Sequence, residues 1–410
     1  MSLFVLSPLP PEVTDRIIDY LWADRASLRS CALTCRAWLP ASRYHLFHTL
    51  RIWSREAFDS LTHKSCIPAT AELFRFVQHL SIRERSGPAF AHLVPPLLVS
   101  NLPKVTSMDI HKFSPEAIAP EPSFYTVLGR FSQVTTLELH EVSFGPIHDT
   151  SMFLCSFPSL THLTLHKCVI RRGPFIIAQQ APPVRTLSLT SLAIGEMMLW
   201  VLSDLLQWLS VTPTAQTLKV FVFRGGKPVD PGGHNLAPAY ARIVTRFIHN
   251  LGASLQAVTV PLLSGIDEHR ALLVTSRGLR KIHLRFNANN HTMASRYLSH
   301  VPSTQVQTVE LQFGTMSAQI PFDMYIPGRA PIPSPLKKFR DIRPSLQSIN
   351  DVLISNAFPV LEQVIVRSSH AAFPGLSQQA FRRKIQQAMR GLDARGMLQF
   401  SVVEDEDCLQ

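Results

Sequence analysis

The feature that most constrains this chain is a short apolar pattern that returns along most of its length. In Val134-Thr135-Thr136-Leu137-Glu138-Leu139-His140, an apolar residue is followed by two others and then by apolar, any and apolar residues. Strict alternation over the last three positions indicates a strand with one buried face. The pattern returns at residues 160–166 and 184–189, and its regular return indicates a structural repeat.

The first of the two alternating apolar residues marks each repeat unit. Successive markers lie 24 to 37 residues apart, and most steps resemble the roughly 20–29 residues of a leucine-rich repeat. Units of this kind stack into a solenoid because none of them buries its apolar face alone. The alternative is an ordinary open α/β sheet, and twelve restatements in one register count against it. The markers are Leu50, Leu80, Met108, Leu137, Leu163, Leu187, Phe221, Val258, Ile282, Val309, Phe339 and Val364.

We therefore predict an α/β fold in which residues 49–410 form an irregular leucine-rich-repeat-like solenoid, or horseshoe. Loops are expected to interrupt it near residues 224–236 and 314–335, which are rich in glycine and proline or in proline alone. We also expect a helix near 237–251, a helix capped by Ser377, and a final strand over 397–403.

Composition sets the class of protein. Hydrophobic residues make up 46% of the chain and charged residues 17%, which is enough apolar material for a continuous core. The first nine residues have no basic start, and the apolar stretch 197–209 is interrupted by polar residues, so we expect neither a signal peptide nor a transmembrane helix. The six cysteines show no paired metal-ligand spacing, which favours a reduced protein of the cytoplasm or nucleus.

Residues 6–47 predict three short helices in one small unit. Pro11 suits the first turn of the first helix, and Ser27 is a candidate cap for the second. So small a unit leaves apolar side chains uncovered, which suggests either a partner or a cap for the first repeat. One stripe of the first helix consists of Val13, Ile17, Tyr20 and Leu21.

The N-terminal unit also carries a motif. The run LPPEVTDRIIDYL, from Leu9 to Leu21, resembles the start of an F-box. It is followed at the family's spacing by Leu28, Leu33, Cys35-Arg36-Ala37-Trp38 and Phe47. Thr14 departs from the usual aliphatic residue, and Phe47 replaces a common tryptophan. The resemblance covers about the first tenth of the chain and identifies residues 1–48 as an F-box domain.

The resemblance implies a function. In that family the three-helix unit docks on the Skp-type adaptor of a cullin-RING ubiquitin ligase, while the rest of the chain holds the substrate. An F-box followed by irregular leucine-rich repeats is similar to many proteins of mushroom-forming, basidiomycete fungi. The implied partners are a Skp-type adaptor, a cullin scaffold and a target protein. The implied adaptor-binding residues are Leu9, Pro10, Ile17, Ile18, Leu21, Leu33 and Trp38.

The outward positions of the strands supply the candidate target-binding residues. Early units offer histidines and acids, and later units offer basic residues that suit an acidic or phosphorylated segment. Asp109, Glu138 and His162 stand near the early histidines, where a metal site is conceivable, but no spacing is diagnostic and we predict no metal or cofactor. The candidates are His111, His140, His166, Lys281, His283, Arg285, Arg340 and Arg367.

Two function classes remain at this stage. The first is a non-catalytic substrate-recognition subunit of a Skp-cullin-F-box ubiquitin ligase. The second is a ligase-independent repeat scaffold that binds acidic protein or RNA, which the net charge of +11 permits. The basic residues are scattered, so nucleic acid is the less favoured partner, and no membrane contact is expected. The sequence carries no catalytic motif that would favour an enzyme.

Overall fold

The computed structural model describes residues 10–84, 88–114, 122–171, 187–225, 236–262, 276–286, 292–301, 303–313, 335–368 and 377–402. By its internal contacts the chain divides into two compact units. The first unit comprises Met1–His162 with Cys168–Pro183, and the second comprises Leu163–Lys167 with Val184–Gln410.

Three helices open the first unit, as the sequence predicts. They are α1 (Pro11–Tyr20), α2 (Arg25–Thr34) and α3 (Leu39–Phe47). The predicted cap of α2 is wrong: the cap is Asp24, whose carboxylate accepts hydrogen bonds from the backbone N–H groups of Ala26 and Ser27. The hydroxyl of Ser27 donates to the same carboxylate at 2.6 Å. A carboxylate one position before the helix satisfies two orphan N–H groups, which leaves Ser27 inside the first turn.

The rest of the first unit alternates strands with helices. Strands β1 to β4 are parallel neighbours in sequence order, with Leu50 opposite Leu80, Leu80 opposite Met108 and Met108 opposite Leu137. The elements are β1 (Thr49–Ile52), α4 (Arg55–Ser65), α5 (Pro68–Phe74), β2 (His79–Arg83), α6 (Val94–Leu98), β3 (Ser107–His111), α7 (Pro122–Leu128), β4 (Thr136–His140), β5 (Ser143–Phe144) and α8 (Ile147–Cys155). Strand β6 (His162–His166) follows, with its residues from Leu163 in the second unit, and β7 (Val169–Ile170) then pairs with β5 in the first.

The second unit continues the same alternation. Strands β8 to β14 are parallel, each beside its neighbour in sequence. The elements are β8 (Ser191–Gly195), α9 (Leu199–Leu209), α10 (Thr214–Thr217), β9 (Val220–Phe223), α11 (Ala237–Leu251), β10 (Ala257–Pro261), β11 (Lys281–Phe286), α12 (Met293–Ser299), β12 (Thr308–Phe313), α13 (Pro335–Ile354), β13 (Gln363–Ser368), α14 (Gln378–Ala388), α15 (Arg390–Ala394) and β14 (Leu398–Val402).

The repeated apolar pattern forms the core of both units. In ten repeats the three apolar positions of the pattern are all buried, as in Val134, Leu137 and Leu139, or Leu279, Ile282 and Leu284. The first of the three precedes the strand, and the other two point from it to the same face. The predicted repeat of one parallel strand and a helical or irregular return is therefore confirmed, and the fold is α/β.

Two of the predicted strands are wrong. At Leu187 the predicted strand is displaced by five residues, since the strand that pairs is β8, with Leu192 opposite Phe221. Leu187 and Leu189 are buried just before it, where the Thr214 hydroxyl donates to the Leu187 carbonyl and accepts from the Leu189 N–H. With Leu192 as marker, the steps from Leu163 and to Phe221 are both 29 residues.

The second wrong strand is the one predicted at Phe339. This stretch is helical, because it lies within α13, and one repeat therefore runs from Val309 to Val364, which are paired in register. Lys337, Lys338 and Arg340 share this helix rather than a strand. Apolar residues at helical spacing along α13, Ile342, Leu346, Ile349 and Leu353, are buried.

One predicted helix, one predicted strand and one predicted helix cap are confirmed. The helix near 237–251 is α11, and the final strand is β14. Ser377 caps α14, where its hydroxyl accepts from the Ala380 N–H at 3.2 Å. The predicted loops fall almost wholly on residues 226–235 and 314–334, outside the described residues.

Two observations concern membrane-spanning helices and the state of the cysteines. Within the part of the chain that the structure describes, no helix combines the length and apolarity needed to cross a membrane. The described cysteines, Cys31, Cys35, Cys66, Cys155 and Cys168, are all free thiols.

Candidate binding surfaces

The first candidate surface consists of exposed apolar side chains on α1 and α2. Val13, Ile17 and Tyr20 lie along one stripe of α1 and are exposed, while Thr14 and Ile18 on the opposite side are buried. On α2, Leu33 is 88% exposed. Large apolar side chains normally lie inside, so four of them exposed on two short helices indicate a contact surface. We call Val13, Ile17, Tyr20 and Leu33 the helical apolar residues.

The predicted adaptor-binding residues divide by their exposure. Pro10, Ile17 and Leu33 are exposed, whereas Leu21 and Trp38 are half-buried. Ile18 has no exposed surface, so it belongs to the core of the helices and can shape the surface only from within. Leu9 lies outside the described residues.

The second candidate surface lies on strands β2 and β3 and is organised by Asp109. His79 Nε2 lies 2.7 Å from Asp109 Oδ1, and His111 Nε2 lies 3.2 Å from Oδ2. The Ser81 hydroxyl donates to Oδ2 at 2.7 Å and accepts from Trp53 Nε1 at 3.3 Å. We call His79, Ser81, Asp109 and His111 the Asp109 cluster.

The charges of this cluster support one another. Burial opposes ionisation of Asp109, but hydrogen bonds from His111, His79 and Ser81 outweigh it and hold the pKa of this carboxyl far below its usual range. The hydrogen bond to Asp109 in turn raises the pKa of His79, against the opposing effect of its own burial. The carboxylate therefore holds two imidazoles in place and favours a proton on His79.

His140 continues this face on β4. Its ring stacks on that of His111, with centroids 4.5 Å apart and planes inclined by 8°. Its Nε2 lies 3.6 Å from Glu138 Oε2, and the hydrogen bond from His140 lowers the pKa of Glu138. The register brings His111 and His140, two of the predicted target-binding residues, directly opposite each other.

The predicted role of His166 is corrected by its burial. This histidine is 8% exposed and lies in the second unit against Gly195 of β8. A Cβ atom at Gly195 would come within 2.8 Å of His166 Nδ1, so the glycine provides the space that the imidazole occupies. A side chain buried in this way does not offer a surface to a ligand.

The third candidate surface lies on β11, β12 and β13 and surrounds Glu310. This glutamate is 2% exposed. Lys281 Nζ lies 2.7 Å and Arg367 Nη2 3.3 Å from its Oε1, while His283 Nδ1 lies 3.6 Å from its Oε2. We call Lys281, His283, Glu310 and Arg367 the Glu310 group.

The electrostatics of the Glu310 group differ from those of the Asp109 cluster. Burial raises the pKa of Glu310, but the Lys281 hydrogen bond and the charges of His283 and Arg367 outweigh it, so that the pKa falls and the carboxylate stays ionised. Burial lowers the pKa of His283 to about 4, Glu310 opposes this shift, and Arg367, Arg285 and Lys281 add to it. His283 is therefore neutral near pH 7.

Sequence reasoning missed the central role of Glu310. The register places it directly opposite His283 on β11, while Lys281 and Arg367 lie two residues away along their strands, on the same face. The sequence signal for this role was an acidic residue on a strand whose neighbouring strands carry basic residues. Arg285 shares this face, opposite Pro261 and Gln312. Arg340 does not, because it lies in α13, and its side chain is outside the described residues.

The described residues contain no group of three or more His, Cys, Asp or Glu side chains arranged to hold a metal ion. In the Asp109 cluster the two imidazoles contact the carboxylate directly, so their hydrogen bonds account for this grouping without an ion.

The matches to known proteins are with solved structures. No protein-family model matches the chain, and no curated protein matches it. Among solved structures, the chain is similar to the leucine-rich repeat-containing protein LegL7 from Legionella pneumophila, with 14% identity, a TM-score of 0.45, and coverage of 85% of this chain and 98% of that one. It is also similar to a structure described as a TLR13–ssRNA13 complex, with 13% identity, a TM-score of 0.32, and coverage of 61% of this chain and 38% of that one.

Proposed function

We propose that this chain is the non-catalytic substrate-recognition subunit of a Skp-cullin-F-box ubiquitin ligase. The helices α1 to α3 dock a Skp-type adaptor, and the repeats hold a target protein close to the ligase's transfer machinery. Such a subunit supplies proximity, because holding the target raises its effective concentration at the reacting centre. The observation that supports this proposal most directly is the exposure of the helical apolar residues within the stretch that resembles an F-box.

Physical chemistry favours a protein partner for these helices. Exposed apolar side chains on a small helical unit gain free energy when a partner removes them from water, at roughly 25 cal/mol per Å² of apolar surface. Leu33 and Tyr20 retain most of their surface in this chain. An apolar groove on an adaptor would cover them.

Co-purification with the host's Skp-type adaptor tests this proposal. The variants Ile17→Asp and Leu33→Asp place a charge on the exposed apolar surface and are expected to weaken adaptor binding at least tenfold, while circular dichroism stays unchanged. Val360→Asp is the matched control, because Val360 is also exposed but lies in the second unit. Adaptor binding that survives in the Ile17→Asp, Leu33→Asp double variant would contradict the proposal.

For the target we propose an acidic or phosphorylated segment that binds the face of β11 to β13. Lys281, Arg285 and Arg367 outnumber Glu310 on this face, which leaves an excess of positive charge. Arginine forks recognise carboxylate and phosphate groups through paired, charge-assisted hydrogen bonds.

Ubiquitylation in host cells tests the target surface separately. Proteins whose ubiquitylation depends on the wild-type chain are expected to lose it with Arg285→Gln, Arg367→Gln, while adaptor binding is retained. Arg383→Gln, an exposed arginine on α14, is the control. Unchanged ubiquitylation in the double variant would place the target elsewhere on the chain.

A further inference from the structure

A cavity of about 600 Å³ lies in the first unit, where α3 and the segment between α1 and α2 meet strands β1 to β3. Its volume is within the range of sites that bind small molecules. It is lined by residues other than the helical apolar residues and is remote in sequence from the Glu310 group. Neither the adaptor nor the target surface proposed above accounts for it.

The lining of this cavity is basic. Arg25, Arg51, His45, His48 and His79 contribute to it, and none of the described residues that line it is acidic. The Arg25 guanidinium donates to the carbonyl of Leu46 at 3.1 Å, and that of Arg51 lies 5.5 Å from the centre of the Trp53 ring. In the described part of the chain neither guanidinium is paired with a carboxylate.

The three histidines of the lining are placed to respond to an anion. His45 and His79 each contact a carboxylate outside the lining, at 2.7 Å from Asp19 and from Asp109 respectively. Burial lowers the pKa of His48, and the neighbouring His79 and His45 lower it further. An anion placed in the cavity would relieve this repulsion, because an opposite charge favours the protonated imidazole.

Aromatic rings form another part of the lining. Trp22 is 69% exposed, and Tyr44 is partly exposed. The Tyr44 hydroxyl accepts from Gln78 Nε2 at 3.2 Å, and its ring packs edge-on against His45 and His48 with centroids 5.1 and 5.8 Å away. These contacts hold Tyr44 in place, whereas the surface of Trp22 is open to a ligand. Exposed aromatic faces near cationic side chains suit a ligand that carries both a ring and an anionic group.

We propose that this cavity binds a nucleotide-sized phosphate ester, with the phosphate against Arg25 and Arg51 and the ring system against Trp22 and Tyr44. Inorganic phosphate would fill only a small part of the volume and would leave the aromatic faces uncovered. A phosphate monoester carries the charge that two arginine forks match, and its ring supplies the apolar area.

Isothermal titration calorimetry of the full chain tests this proposal with three probes: AMP, adenosine and inorganic phosphate. AMP is expected to bind saturably and more tightly than either fragment. Arg25→Gln and Arg51→Gln should each weaken AMP binding about tenfold or more, the loss expected for one charge-assisted contact. Arg29→Gln removes the same charge one turn further along α2, outside the lining, and should leave AMP affinity unchanged within twofold.

Three results would overturn the proposal. The first is the absence of saturable AMP binding at millimolar concentration. The second is equal binding of AMP by wild type, Arg25→Gln and Arg51→Gln. The third is inorganic phosphate that binds as tightly as AMP, which would identify an anion site without a ring pocket. Adaptor co-purification with the same arginine variants keeps this test distinct from the proposed function, because those variants should retain adaptor binding.

Discussion

At the scale of single residues, surroundings rather than sequence position decide which histidines carry a proton. His79 and His283 both stand on the open face of a strand, each beside a carboxylate. A direct hydrogen bond to Asp109 raises the pKa of His79. Burial dominates at His283 and lowers its pKa to about 4, with three nearby cations acting in the same direction and Glu310 against them. The same residue type is therefore protonated more readily on one strand face and is neutral near pH 7 on the other.

This contrast predicts two separate histidine titrations, which NMR of the ring protons can follow. His79 is expected to titrate above the ordinary value near 6.5 and His283 near 4. The stability contributed by His79 is present below its unfolded-state pKa and is lost as pH rises through the raised value. That of His283 has the opposite sign: it is present above the unfolded-state pKa and is lost as pH falls toward about 4.

Asp109→Asn is the control for this titration. Without the carboxylate the pKa of His79 should fall, while His283 in the other unit should keep its midpoint. Coincident midpoints for His79 and His283 in the wild-type chain would contradict the assignment.

Glu310 gives the second prediction at this scale. Glu310→Gln leaves the charges of Lys281 and Arg367 without their carboxylate, and we expect the free energy of unfolding to fall by about 1–3 kcal/mol. The loss stays moderate because Lys281 is 47% exposed and Arg367 35% exposed, so water can solvate both cations. Urea denaturation measures it. The matched change Glu362→Gln, at an exposed position, should lower the free energy of unfolding by less than about 0.5 kcal/mol. An equal loss for both variants would contradict the stabilising role of Glu310.

At the scale of elements, the residue that follows several strands adopts an unusual backbone conformation. Lys112, Glu141, Lys167 and Glu196 follow β3, β4, β6 and β8 directly, and all have φ between 48° and 58°. For a residue with a Cβ atom, this left-handed conformation is roughly 1–2 kcal/mol less stable than the right-handed one. The ladder continues into this residue, since the N–H of Lys112 donates to the His140 carbonyl at 2.8 Å and that of Lys167 to the Gly195 carbonyl at 3.0 Å. Lys112 and Lys167 therefore keep the hydrogen bonding of the ladder while their backbone leaves the extended region.

Glycine at such a position should stabilise the chain. Lys112→Gly removes the left-handed strain and is expected to raise the free energy of unfolding by about 1 kcal/mol. It also removes an exposed ion pair of 3.7 Å with Glu141, which is worth only a few tenths of a kcal/mol. Lys104→Gly, at an exposed turn residue without positive φ, should instead destabilise, because glycine adds freedom to the unfolded chain. Thermal unfolding that moves in the same direction for both variants would refute this account.

The elements also show how far the sequence could be interpreted. Period-2 patterns with one apolar pair, such as Leu137 with Leu139, located their strands correctly. Around Leu187 the sequence offers two apolar pairs five residues apart, and only the hydrogen bonds to Thr214 distinguish the buried approach from the strand. The stretch at Phe339 has Asp341 where the pattern requires its second apolar residue, and the helical period that follows prevails. For the Glu310 group, the acidic residue among basic strand positions is visible in the sequence, but the register of β11, β12 and β13 that brings these side chains together is not contained in any local pattern.

At the scale of the whole molecule, the net charge of +11 and the exposed apolar helices favour different partners. A polyanion is attracted by scattered lysines and arginines without specific geometry, and this attraction weakens steeply with salt. Docking through apolar side chains depends on removing them from water, which salt does not weaken. The two functions proposed from the sequence therefore differ in how steeply binding weakens with salt, which can be measured on the intact chain.

Salt titration of two complexes provides the final prediction. Binding of the full chain to single-stranded RNA, measured by fluorescence anisotropy, is expected to weaken more than tenfold between 50 and 200 mM salt, as for contacts to about four phosphates. Binding to the Skp-type adaptor should change less than twofold over the same range. RNA affinity that persists at 200 mM with a shallow slope would favour the ligase-independent scaffold. Adaptor affinity that falls as steeply as RNA affinity would mean that charge, rather than Ile17 and Leu33, carries the docking.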